Sequence, residues 1–313
     1  IKGLSKLLSK TAQWKLKAYL RWQIIRGAAP YLSSAFVNER FAFYGKVMQG
    51  TKELNPRWKR VISMVNGAVG EALGEVYVAK YFPPESKARM LQLIANVTEA
   101  LREAITEVDW MSEATRANAL VKLGSFEAMI GYPDVWQGYN GLVINRDSLY
   151  DNELRTTEYA SRLDLAKIGT PVDRHEWHMT PQTVNAYYSP QTNQIVFPAA
   201  ILEPPFFDAQ ADDAANYGGI GVVIGHEMTH GFDDKGAKYN ALGNVENWWT
   251  AEDLAAFSLR VQIIIEQFNG FAIAGGKTVN GKLVAGEAAS DLGGVKLAYR
   301  ALQKVLAVTG RKT

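Results

Sequence analysis

The sequence predicts a mainly α-helical chain with a small β-hairpin or sheet, an α+β class. Three observations carry this reading. Apolar residues recur at helical spacing through most of the first 125 positions. Two runs rich in β-formers, residues 183–188 and 194–197, flank a polar turn. Helical patterning then returns and dominates the rest of the 313 residues. Apolar residues make up 47% of the chain and charged residues 21%, a globular balance that argues against disorder.

The elements follow in order. Residues 14–26 carry Leu16, Tyr19, Leu20 and Ile24 at helical spacing, and residues 58–82 do the same with Val61, Val65, Val69, Leu73 and Val76. Pro83-Pro84 stops that second helix. A third helix is expected over 85–108. A fourth follows Trp110-Met111, with Ser112 as N-cap and Glu113 in its first turn. Gly131, Pro133 and the polar residues to Asn140 read as a loop. A further helix over 146–167 is broken by Gly169-Thr170-Pro171.

The two β-forming runs read as a hairpin closed by Ser189-Pro190-Gln191-Thr192-Asn193, and Pro198 and Pro204-Pro205 end it. Residues 214–231 are helical in pattern although Gly218, Gly219, Gly221 and Gly225 lower the propensity. Glycines so placed point to another backbone packed very close. A helix over 251–268, a loop over 270–286 with turns at Gly275-Gly276 and Asn280-Gly281, and a last helix over 287–308 complete the pattern. The length suggests about two domains, a helical lobe at 1–125 and a second lobe at 126–313.

Composition excludes several functions. Lys plus Arg total 34 against 32 for Asp plus Glu, and a net charge of +2 gives no electrostatic case for binding nucleic acid. There is no cysteine, so disulfides, thiolate metal sites and cysteine nucleophiles are ruled out in this chain. Any zinc site must then be built from carboxylates and the four histidines. No apolar run of about 18 residues marks a transmembrane segment.

The chemistry concentrates in His226-Glu227-Met228-Thr229-His230, an H-E-x-x-H on an expected helix. Residues four apart share a helix face, so both imidazoles can reach one cation, and Glu227 lies beside them free to take a proton from water. A third ligand is needed. Glu287 and Asp291, also four apart, supply a candidate ligand and a candidate acceptor behind a ligating histidine. Such an acidic pair is by itself often solvated surface, but its Ala- and Gly-rich surroundings are not those of an exposed face. Asp233-Asp234 is open to two readings, a hydrogen-bond partner for His230 or a helix-end turn. His175 and His178 sit in a segment with no helical pattern and are expected to bind no metal.

With these residues in view, the chain resembles the M13 family of zinc metallopeptidases, the neprilysin-like or PepO-type endopeptidases, over essentially its whole length. Residues 184–188 read V-N-A-Y-Y, 193–199 read N-Q-I-V-F-P-A, and 204–207 read P-P-F-F. Residues 217–221 (Y-G-G-I-G), 223–234 with G-H-E and G-F-D-D, and 248–250 (W-W-T) also match the family, as does the E-x-x-x-D of Glu287 and Asp291. Residues 77–83 and Asp109-Trp110-Met111 are similar to family sequence in the helical half.

The resemblance implies a thermolysin-like zincin catalytic lobe beside a helical lobe, and one Zn2+ per chain held by His226, His230 and Glu287. It implies catalytic roles for Glu227, as general base, and for Asp291, behind a ligand. It implies that Asn185 and the backbone of Ala186 hold the substrate main chain, and that Phe206 and Val223 line an apolar pocket for the residue after the scissile bond. Peptides are the expected partners, in a periplasmic, secreted or membrane-anchored setting. Further N- and C-terminal portions of the same protein are expected too, because the family's C-terminal histidine and arginine have no match here. The alternatives are a catalytically impaired or non-catalytic zinc-containing peptide-binding fragment, and a helical domain whose histidines are core residues.

Overall fold

The structure, a computed structural model, describes residues 2–310. It is mainly α-helical with two small sheets. In chain order the helices are α1 (Lys2–Lys10), α2 (Gln13–Ala28), α3 (Ser34–Arg40), α4 (Arg57–Tyr81), α5 (Pro84–Glu107), α6 (Glu113–Gly124), α7 (Leu149–Ala166), α8 (Asp213–Asn216), α9 (Val222–His230), α10 (Ala251–Asn269) and α11 (Gly281–Thr309). The strands are β1 (Glu127–Gly131), β2 (Tyr187–Ser189), β3 (Gln194–Pro198), β4 (Ala272–Ile273) and β5 (Lys277–Thr278). No helix among the described residues is long and apolar enough to cross a membrane.

The chain divides into two units. The first comprises 1–70 and 137–172, and thus α1 to α3, the start of α4, and α7. Between α3 and α4 a run of wider π-type turns covers Phe41–Met48. α4 is broken where Val69 leaves helical geometry (φ −140°, ψ 46°), next to the boundary between the units. Ser148 caps α7 by accepting from the Asp151 amide, a short polar side chain satisfying an orphan N–H.

The second unit comprises 71–136 and 173–313. The boundary expected between residues 125 and 126 falls inside it, between α6 and β1. The physical reason is packing: α5 lies against α9 and α11, and β1 pairs with β3. Met90, Leu93, Val97, Ile195, Phe197, Ile220, Ile224, Met228 and Leu297 make its interior. Each such side chain contributes about 1.5–3 kcal/mol of burial.

β1 went unread in the sequence. It pairs in parallel with β3, Glu127 opposite Gln194 and Ile130 opposite Phe197. The hairpin forms with β2 antiparallel to β3, Tyr187 opposite Val196, giving the strand order β1-β3-β2. β2 is shorter than expected, starting at Tyr187, so Asn185 and Ala186 lead into the strand. The turn is closed at Asn193, whose φ of 53° is a left-handed conformation that Asn tolerates.

α11 begins at Gly281, where a loop to residue 286 was expected. Asn280 is its N-cap and accepts from the Leu283 amide. Gly281 is there for close packing, since a Cβ would lie 2.0 Å from the Ile265 carbonyl oxygen of α10.

Candidate metal centre

Two helices build the site at a crossing where neither has side chains. A Cβ on Gly225 of α9 would lie 2.8 Å from the Gly294 Cα of α11, and one on Gly294 would lie 2.5 Å from the Val222 carbonyl oxygen. The backbones therefore approach closely, as the glycine-rich pattern implied. Ahead of α9, Tyr217–Gly221 winds in wider π-type turns, and the Ile220 amide donates to the Phe206 carbonyl at 2.7 Å.

This approach brings Glu287 of α11 to the two histidines of α9. Its Oε2 lies 3.4 Å from His226 Nε2 and 3.5 Å from His230 Nε2. The two imidazole rings stand edge to face, 4.5 Å apart. All three ligand atoms lie within 4.8 Å of one another, and among the described residues no other three-membered group of His, Asp or Glu does so. His175 and His178 lie outside it, and the His178 amide instead donates to the Tyr187 hydroxyl.

The donor set fits zinc. Ligand bonds of about 2.0–2.1 Å in a tetrahedron set neighbouring donor atoms roughly 3.3–3.4 Å apart. The Nε2-to-carboxylate separations match that spacing. The backs of both rings are held as well. Asp291 Oδ1 lies 2.8 Å from His226 Nδ1, and Asp233 Oδ2 lies 2.8 Å from His230 Nδ1. A carboxylate at Nδ1 keeps the proton on that nitrogen and leaves the Nε2 lone pair for a cation. Asp233 is thus the member of the Asp-Asp pair that meets His230. The Ser290 hydroxyl, fully buried on α11, also approaches His230 Nδ1, at 3.0 Å, a contact the sequence did not announce.

Glu227 is buried, and burial pushes its carboxyl up to about 7, with the nearby His230 opposing the rise. The Tyr188 amide of β2 donates to it. Burial also acts to raise Asp233, but hydrogen bonds from His230 and from the Gly236 and Lys235 amides outweigh it and hold the carboxyl below its usual range.

A cleft of about 380 Å³ opens in front of these groups, lined by His226, Glu227, His230 and Glu287 together with Asn185, Ala186, Tyr187 and Tyr188. β2 is an outer strand of its sheet, and among the described residues its far edge has no strand partner. Phe206 and Val223 do not line this cleft and sit half-buried against the core.

Known proteins resemble this chain over most of its length. Two family models, both described as peptidase family M13, match residues 1–133 and 185–313. Neprilysin-11 of Caenorhabditis elegans is 37% identical over 323 residues, covering 100% of this chain and 38% of the relative. Endothelin-converting enzyme 1 of Homo sapiens is 36% identical over 313 residues, covering 97% and 40%. The crystal structure of Mycobacterium tuberculosis zinc metalloprotease ZMP1 in complex with an inhibitor superposes with a TM-score of 0.94 at 47% identity, covering 97% of this chain and 47% of that one. The crystal structure of PepO from Lactobacillus rhamnosis gives 0.83 at 31% identity, covering 92% and 44%. The chain therefore spans only 38–40% of the length of these two curated relatives.

Proposed function

This chain belongs to peptidase family M13, and from that premise we propose that it carries the zinc site of an endopeptidase hydrolysing short peptides. The observation that carries the proposal is the convergence of His226, His230 and Glu287, with Glu227 beside them in a cleft that Asn185 and Ala186 also line.

His226, His230 and Glu287 would hold one zinc ion per chain. When bound, zinc supplies the positive charge that acidifies water and polarises a scissile carbonyl. Glu227 accepts the proton of the attacking water on its carboxylate and passes it to the leaving amine. Its buried position, which favours the protonated acid, suits the second half of that exchange. Asp291 and Asp233 retain the imidazole protons at Nδ1 and keep both rings aimed at one point. The substrate lies extended along the open edge of β2, held by the Ala186 backbone and the Asn185 side chain, in the manner of an added strand. Phe206 and Val223 pack half-buried against the core and do not line the cleft; they would serve the residue after the cleaved bond only as an apolar backing to it.

The deciding experiment is Glu227→Gln in the zinc-loaded protein, assayed on a quenched fluorescent peptide. Turnover should fall by about 10²-fold or more, with one zinc per chain retained. Unchanged, zinc-dependent cleavage would end the proposal. Zinc and peptide binding with no turnover in the wild type would favour a non-catalytic peptide-binding module instead.

A further inference from the structure

Lys122 is on the last turn of α6 and is 1% exposed. Its ammonium donates to three backbone carbonyls, those of Gly231 at 2.6 Å, Gly236 at 2.8 Å and Tyr239 at 2.7 Å. An ammonium has three donors and no acceptor, so this set is complete. The rings of Tyr188, Phe232 and Trp248 surround it at 5.6–5.9 Å, a further source of attraction for a cation. Burial pulls its pKa down to about 8, so it stays charged at neutral pH.

All three carbonyls belong to the turn that leaves α9, residues 231–239. The same turn offers its amides to Asp233: Lys235 N and Gly236 N donate to Oδ1 at 2.8 and 2.6 Å, while Oδ2 meets His230 Nδ1. Lys122 thus holds the carbonyl side of the turn and Asp233 holds the amide side. The turn closes tightly, because a Cβ on Gly236 would lie 1.8 Å from the His230 carbonyl oxygen. A neutral side chain at 122 would leave the Gly231 carbonyl without a donor, and would leave Gly236 and Tyr239 with one donor each, the Tyr239 amide and the Trp248 indole, so the turn would be held on one side only. Arginine's flat fork does not match three converging acceptors.

We propose that Lys122 is a positioning residue for the metal centre: by binding the three carbonyls it fixes the turn in the conformation that delivers the Asp233 carboxylate to His230. It touches neither metal nor substrate and acts through Asp233. The proposal rests on the zinc reading above. A cation that merely fastened α6 to the fold would affect stability without affecting what Asp233 does for His230.

The test is zinc affinity, measured by chelator competition on the full chain, for wild type, Lys122→Met, Asp233→Asn and the double variant. Both single substitutions should weaken zinc by about tenfold or more, and Lys122→Met should cost little further once Asp233 is already replaced. The His230 Nδ1–H proton resonance should move upfield and exchange faster in Lys122→Met. The chain has no cysteine, so aminoethylation of Lys122→Cys while unfolded, followed by refolding, restores a lysine-like ammonium at this one position and should restore affinity. Lys122→Gln, which keeps two donors, is read by the same criteria should the methionine variant not fold. A folded variant with wild-type zinc affinity, or effects that simply add to those of Asp233→Asn, would overturn the role of Lys122 alone. A wild-type chain that binds no zinc would overturn the peptidase reading, and this role with it.

Discussion

Asp253 shows how one side chain can join distant parts of the sequence. It accepts from the Ser112 amide at 3.0 and 3.2 Å and from the Ser112 hydroxyl, tying the start of α10 to the N-cap of α6. The Ser112 hydroxyl bond, followed by bonds from Thr115, the Ser112 amide and Thr250, holds its carboxyl below the ordinary value of 3.8. The folded-state pKa is depressed, so the stabilisation is present above 3.8 and fades as pH falls through the lower folded value. Asp253→Asn should therefore be less stable than wild type at neutral pH, and the gap should narrow in acid. Urea unfolding across a pH series in EDTA checks this; a gap that is constant with pH refutes it. At this scale the convergence of His226, Glu227, His230, Glu287 and Asp291 was legible, because fixed spacing on a helix groups such side chains on one face. Lys122 and Ser290 were not. Their partners lie far along the chain, and nothing local distinguishes a lysine that meets three carbonyls from one in water.

The α9–α11 crossing makes the metal centre depend on the absence of side chains. Gly294→Ala would force its Cβ against the Val222 carbonyl, with backbone on both sides and no flexible group to yield. We expect a loss of about 1–3 kcal/mol in stability. Zinc binding should weaken as well, because α11 carries Glu287 and would be pushed away from the histidines. Thermal melts and chelator competition measure the two effects; an alanine variant with both properties unchanged would show that the crossing does not set the ligand geometry. The positions of α2, α4 to α7 and α10 were readable from apolar spacing and caps, Ser112 among them, whereas α1 and α3 went unread. β1 was not readable either, because a five-residue strand pairing in parallel with a distant partner has no local turn to mark it. The start of α11 was misread because Asn280-Gly281 fits a turn as well as a cap followed by a close contact.

Across the whole molecule, zinc should behave as part of the fold. The ligands come from two helices far apart in sequence, so an unfolded chain has no assembled site. Binding at a free zinc concentration a hundred times the Kd stabilises the native state by about 2.7 kcal/mol, a Tm shift of roughly 5–10 °C for a domain of this size. Calorimetry with zinc and with EDTA should show that difference, and coincident melts would argue against a native zinc site.

The peptide path proposed along β2 has a consequence for selectivity. A strand that recognises main-chain amides is indifferent to most of what a sequence spells. It asks whether several consecutive residues can lie straight with their N–H groups free. On the proposed peptide path such a surface would sort by flexibility, admitting a disordered segment and refusing the same residues wound into a helix. An N-methyl group or a proline at a paired position would remove one hydrogen bond, worth about 1 kcal/mol. It would slow cleavage of that peptide by about fivefold.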